Sequence, residues 1–164
     1  MATAYHNLSE YDPNTLPSSK GMKVSIVVSE WNSNITFSLR DGAIKAMLDN
    51  GARKEDIRIY YVPGSFELTY AAAQLAKHED IDAVIVLGSV IKGETPHFDF
   101  VCQGVTEGIT RLNTEQDTPI IFGLLTTFDM PQAEARSGGI LGNKGIECAI
   151  AAIKMIDFIW NLKK

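Results

Sequence analysis

Apolar residues are unevenly spread along the chain. Through residue 21 the sequence is polar and broken by Pro13, Pro17 and Gly21, which reads as a flexible or loosely docked arm, 1–21. From residue 22 onward, short β-branched runs alternate with longer segments of helical spacing. Strands are expected at 24–28, 57–62, 83–91 and 119–126, and helices at 33–50, 66–77, 96–112, 131–136 and 143–162. Gly51 ends the first helix and Pro63-Gly64 stops the second strand. The third run, Ala83-Val84-Ile85-Val86-Leu87-Gly88-Ser89-Val90-Ile91, does not alternate with polar residues. Such continuity marks a parallel strand covered on both faces.

Strands and helices in regular alternation require a parallel sheet with right-handed crossovers and helices on both sides. The expected class is α/β: a three-layer α/β/α sandwich on a four-stranded parallel sheet, flavodoxin-like. Residues 22–164 form a single domain, because no repeat or linker divides them. In sheets of this kind ligands bind outside the carboxyl ends of the strands. The last helix carries two apolar stripes. Ile146, Ala149, Ile150, Ile153, Ile156 and Trp160 form one, and Cys148, Ala151, Ala152, Met155, Ile159 and Leu162 the other. One stripe suffices to dock on a sheet, so the second calls for a partner subunit or another layer of the same chain.

Composition narrows the function classes. With 164 residues, 45% hydrophobic and 21% charged, the chain can fold as one globular domain, which excludes disordered and low-complexity classes. A net charge of −5 without a basic stripe argues against a nucleic-acid partner. No apolar run approaches the roughly 18 residues of a membrane span, and the N-terminus lacks the basic and apolar regions of a secretory signal. Cys102 and Cys148 are too few for a disulfide framework and read as free thiols of a cytoplasmic protein. No Cys/His/carboxylate cluster has metal-ligand spacing, and no Gly-rich nucleotide loop is present.

Chemistry is therefore sought in the segments that follow the strands. Trp31 follows the first and can stack on a flat ring or fold back on its own domain. After the second, Ser65 can cap the next helix, with Phe66 beside it. Glu67 then either complements the helix dipole or accepts hydrogen bonds from a polyol or amine. After the third strand, Thr95 is expected as the N-cap of the next helix and Pro96 as its first residue, and the amides of Glu94 and Thr95 with the helix dipole make an anion-binding arrangement. His97 falls in the first turn beside that anion site, where a proton-transfer group for neutral pH can act. After the fourth strand, Arg136 is a bidentate phosphate clamp or a surface cation, and Lys144 an auxiliary charge or the same.

Three motifs in order, Val62-Pro63-Gly64-Ser65-Phe66-Glu67, the run from Gly88 through Asp99 containing Lys92-Gly93-Glu94-Thr95-Pro96-His97, and Gly142-Asn143-Lys144-Gly145, resemble the lumazine synthase family. The resemblance covers residues 23–162. It implies condensation of 5-amino-6-(D-ribitylamino)uracil with 3,4-dihydroxy-2-butanone 4-phosphate, the penultimate step of riboflavin biosynthesis, without metal or organic cofactor. It implies Trp31 against the pyrimidine ring and Ser65, Phe66 and Glu67 on the ribityl chain and ring, with Ser89, Val90 and Ile91 lining the pocket. It further implies Glu94, Thr95 and Arg136 at the phosphate, His97 as the proton carrier, and Phe122 contributed by a neighbouring subunit. A homopentamer follows from the same likeness, as does a shell of sixty subunits, because the segment between Arg136 and Asn143 is short. Many members carry Lys four residues after the clamp arginine, where this chain has Ile140.

Overall fold

Four parallel strands, β1 (Val24–Ser29), β2 (Ile57–Val62), β3 (Ala83–Ile91) and β4 (Ile120–Thr127), form a sheet in the order β2-β1-β3-β4. The computed structural model describes residues 7–163; residues 1–6 of the arm, His6 included, and Lys164 lie outside the described residues. Five helices complete the chain: α1 (Ser33–Asp49), α2 (Leu68–His78), α3 (His97–Glu115), α4 (Met130–Arg136) and α5 (Lys144–Leu162). The result is the α/β/α sandwich expected from the alternation.

The absence of polar alternation in β3 has a direct cause. Its residues point by turns into two separate cores. Ala83, Ile85 and Leu87 join Val24, Ile26 and Val28 of β1 beneath α1 and α5, where Leu39, Met47, Ala149, Ile153 and Ile156 are buried. Val84 and Val86 join Val27 beneath α2 and α3, packed by Leu68, Ala72, Val105 and Ile109. β1 and β3 pair in register from Val24↔Ala83 to Val28↔Leu87, and β3 pairs with β4 from Val84↔Ile120 to Ile91↔Thr127.

The two stripes of α5 fare differently. Ala149, Ile150, Ile153 and Ile156 are buried, whereas Met155 and Leu162 remain exposed. Cys148 and Ala152, of the second stripe, are buried within the chain itself. Part of that stripe thus serves the internal core and part faces outward. α1 crosses the start of α5 closely, since a Cβ at Gly145 would fall 1.8 Å from Leu39 O.

Strand bounds and most helix starts agree with expectation to within a residue, but the start of α2 and the end of α3 differ. α2 begins at Leu68 rather than 66, because Ser65, Phe66 and Glu67 form a turn in which Leu68 N–H donates to Ser65 O at 3.2 Å. No side-chain cap is made there, so the capping role expected of Ser65 is not realised. α3 runs on to Glu115 because Asn113 clamps the start of β4, accepting from Ile120 N–H and donating to Ile120 O, both at 2.9 Å. A two-stranded ribbon, β5 (Ser137–Gly139) and β6 (Gly142–Asn143), was not expected; Gly138 and Gly142 supply its positive φ angles of 117° and 77°.

Residues of the arm lie against the domain. Leu8 N–H donates to Leu141 O at 2.8 Å, Ser9 Oγ accepts from Asn143 N–H at 2.9 Å, and buried Ser19 donates to Met47 O at 2.8 Å. Asn143 is the joint of this region. Its side chain accepts from Gly145 N–H at 2.8 Å to cap α5 and donates to Ser38 O at 3.0 Å. Asn143→Ala is expected to cost about 2 kcal/mol, the sum of a lost cap and a lost part-buried hydrogen bond to the Ser38 carbonyl. A thermal or denaturant melt identical to that of the parent chain would contradict this.

Candidate active site

Where β1, β2 and β3 end, the chain encloses a cavity of about 740 Å³. Its walls include Trp31 after β1, Ser65, Phe66 and Glu67 after β2, and Ser89, Val90 and Ile91 at the end of β3. Thr95 and His97, at the start of α3, close a further side. Nine of the residues singled out from sequence thus meet in one place, on the edge of the sheet that the topology rule indicates.

Each is held by local structure. The chain leaving β1 keeps pairing with the chain leaving β2: Glu30 N–H donates to Val62 O at 2.8 Å and Trp31 N–H to Pro63 O at 3.1 Å. The Trp31 ring remains 72% exposed and Phe66 61%, large apolar faces left open among the described residues. Ser65 is buried tightly under β3, for a Cβ at Gly88 would fall 2.7 Å from its Oγ. Ser89 Oγ is also buried and has no hydrogen-bond partner among the described residues.

His97 is the first residue of α3, and Asp99 N–H turns back to Pro96 O at 3.0 Å. No side chain caps this helix, so Thr95 is not the N-cap expected of it. The first amides of any helix lack acceptors within it, and here they border the cavity. The cysteines offer no competing nucleophile. Burial and the nearby Asp99 raise the Cys102 thiol, and burial pushes Cys148 up to about 12. Among the described residues no group of three or more His, Cys, Asp or Glu is placed to hold a metal.

Four expected residues stand outside this cavity. Glu94 is exposed on the preceding loop. Phe122 borders two others, one of about 580 Å³ beside Cys102 and Phe128 and one of about 620 Å³ between the arm and α5. Arg136 ends α4, its Nη1 donating to Gln132 O at 3.0 Å. Lys144 is paired with Glu147 at 2.8 Å and only 14% of its side chain is exposed. Ile140 sits 91% exposed between the ribbon strands.

Sequence reasoning missed several contributors. Phe98 and Val101, three apart on α3, line the cavity with Phe100. One turn on, Gly104 makes room for Phe66, whose ring carbon Cε2 lies 2.9 Å from where its Cβ would be. Gly108 does the same for Thr69. Two glycines four apart inside a helix, each costing about 1 kcal/mol against alanine, were the available signal of close packing.

A family model described as 6,7-dimethyl-8-ribityllumazine synthase matches residues 21–159, which takes in every strand and every wall of the cavity. The chain belongs to this family. Proteins named 6,7-dimethyl-8-ribityllumazine synthase include relatives from Phocaeicola vulgatus, 57% identical over 164 residues covering 100% of this chain and 98% of the relative, and from Bacteroides fragilis, 61% identical over 143 residues covering 87% and 100%. A third, from Parabacteroides distasonis, is 57% identical over 158 residues, 96% of this chain and 99% of the relative. The match to the Phocaeicola vulgatus relative spans the whole chain, the arm included.

Gly104→Ala tests the packing under Phe66. It should leave the melting temperature nearly unchanged, because only one exposed ring has to move, and raise roughly fivefold (~1 kcal/mol) the KM of any substrate that uses the Phe66 ring as a wall. Steady-state kinetics with KM at the parent value would show that the ring's position does not matter.

Proposed function

We propose that the cavity binds 5-amino-6-(D-ribitylamino)uracil beside 3,4-dihydroxy-2-butanone 4-phosphate and joins them into 6,7-dimethyl-8-ribityllumazine, with release of phosphate and water, in the cytoplasm. The observation that carries this reading is the meeting of an exposed flat ring, Trp31, with His97 at a helix start in one cavity of a chain of this family. The pyrimidine stacks on Trp31 and the ribityl chain runs past Ser65, Phe66 and Glu67, with Ser89, Val90 and Ile91 behind it. The butanone phosphate lies on the amides near Glu94 and Thr95, where the dipole of α3 favours an anion.

His97 carries protons. The pyrimidine's 5-amino nitrogen attacks the ketone carbon, a proton passes from nitrogen to oxygen, and water leaves to give the imine. Loss of a proton next to the imine then expels phosphate from the terminal carbon. The enol so formed takes up a proton at its terminal carbon and gives up its hydroxyl proton, becoming a methyl ketone; the ribityl-bearing nitrogen closes the second ring on that new carbonyl, and a further water leaves. Both substrates are reactive on their own, so holding them together supplies most of the acceleration, up to roughly 7–11 kcal/mol in favourable cases.

Phe122 and Arg136 stand outside the cavity of their own chain, which supports a site completed by an adjacent copy in a ring. Arg136 then clamps the phosphate and Lys144 is at most an auxiliary charge. A homopentamer is the assembly implied, with twelve pentamers in a sixty-subunit shell. The short ribbon between Arg136 and Asn143 and the outward Met155 and Leu162 of α5 support that reading. The working unit is the domain 22–164 with its arm 1–21.

Mixing the purified protein with both substrates should produce the absorbance and fluorescence of the lumazine; a protein that binds lumazine but forms none would be a carrier. His97→Ala should lower turnover about 10²-fold while leaving measurable activity, the usual worth of one general acid–base group. Loss of all activity in an assembled variant would contradict the division between positioning and proton transfer. Arg136→Ala should mainly raise KM for the butanone phosphate, and unchanged kinetics would remove it from the site. Light scattering should show a particle far larger than a pentamer; a pentamer alone would refute the shell.

A further inference from the structure

We propose that Asn32 is a positioning residue, tying the loop that carries Trp31 to the end of β3 and so setting the ring's place over the cavity; this rests on the proposed role of Trp31. Asn32 is the one non-glycine residue with positive φ among the described residues, at φ 57° and ψ 48°. Asn is among the few L residues that adopt this left-handed conformation readily. Its carbonyl begins α1, accepting from Ile35 N–H at 2.9 Å and Thr36 N–H at 3.0 Å. At an ordinary helix start an Asn side chain would also cap those amides. Here it makes no such bond and instead donates from Nδ2 to Ser89 O at 2.9 Å.

The consequence is mechanical. Trp31 is 72% exposed, so packing within the chain does little to place its ring. Its backbone is held on one side by the bond from its N–H to Pro63 O, and one residue later on the other by the bond from Asn32 to β3. The loop therefore bridges the ends of the two strands that flank β1 in the sheet. Ser89 belongs to the cavity wall and Asn32 does not, so the tie fixes the distance between the stacking ring and the opposite wall without touching substrate.

Two variants separate the tie from the backbone conformation. Asn32→Gly adopts positive φ freely but removes the bond, and Asn32→Asp keeps size and backbone but sets an acceptor against the Ser89 carbonyl. Both should raise KM for 5-amino-6-(D-ribitylamino)uracil about tenfold (~1.4 kcal/mol) while changing kcat and KM for the butanone phosphate little. In a Trp160→Phe background, titration with the pyrimidine alone should shift the midpoint of Trp31 fluorescence by the same factor. A folded Asn32→Gly with the parent KM and midpoint overturns the inference, because backbone conformation alone would then suffice. Should one variant fail to fold, the other decides; failure of both also overturns it, by making the bond a support of the fold. Parent protein that forms no lumazine refutes the proposed function, whereas parent activity with unchanged variants refutes only the tie.

Discussion

Burial of β3 on both faces is the constraint on which the rest depends. Residues 83–89 are all buried, with β1 bonded along one edge and β4 along the other. A strand so enclosed can contribute neither charge nor flexibility, and its side chains must be divided between two cores of matched volume. What it offers is a rigid terminus. Gly88 and Ser89 lie where that terminus meets the cavity, and Ser65, Asn32 and the start of α3 are placed relative to it.

Much of this was legible before any coordinates. The alternation of short β-branched runs with helical segments specified a parallel sheet, and the rule for its carboxyl edge directed attention to Trp31, Ser65, Phe66, Glu67 and His97, which share a cavity. What the pattern missed lies in groups whose effect is steric or long-range. Gly104 looks like a weak helix residue until Phe66 is found against it. Asn32 looks like a cap until its amide is found on a strand fifty-seven residues away. The serine and threonine expected to cap α2 and α3 do not, because turns at Ser65 and Pro96 start those helices through backbone carbonyls. The ribbon after α4 escaped notice since two- and three-residue strands carry no hydrophobic period.

The cavity combines an apolar, exposed platform with few charges. Exposed aromatic surface is costly in water and is retained where something flat is to be covered. Trp31 and Phe66 fit that description. The cation suited to a phosphate is missing from this wall, and Arg136 lies on α4, bonded to the carbonyl of its own helix. A heterologous ring, in which one copy's β3 terminus faces the next copy's α4, reconciles the two. On the proposed function the chain supplies half of a site, and assembly becomes a requirement of its chemistry.

Subunit complementation tests that claim most directly. His97→Ala and Arg136→Ala chains, refolded together, should give mixed rings in which roughly one quarter of the interfaces pair an intact His97 with an intact Arg136. Lumazine formation by the mixture should therefore rise well above that of either variant alone. A mixed assembly no more active than the mean of its parents would place both residues in the same chain's site and contradict the account.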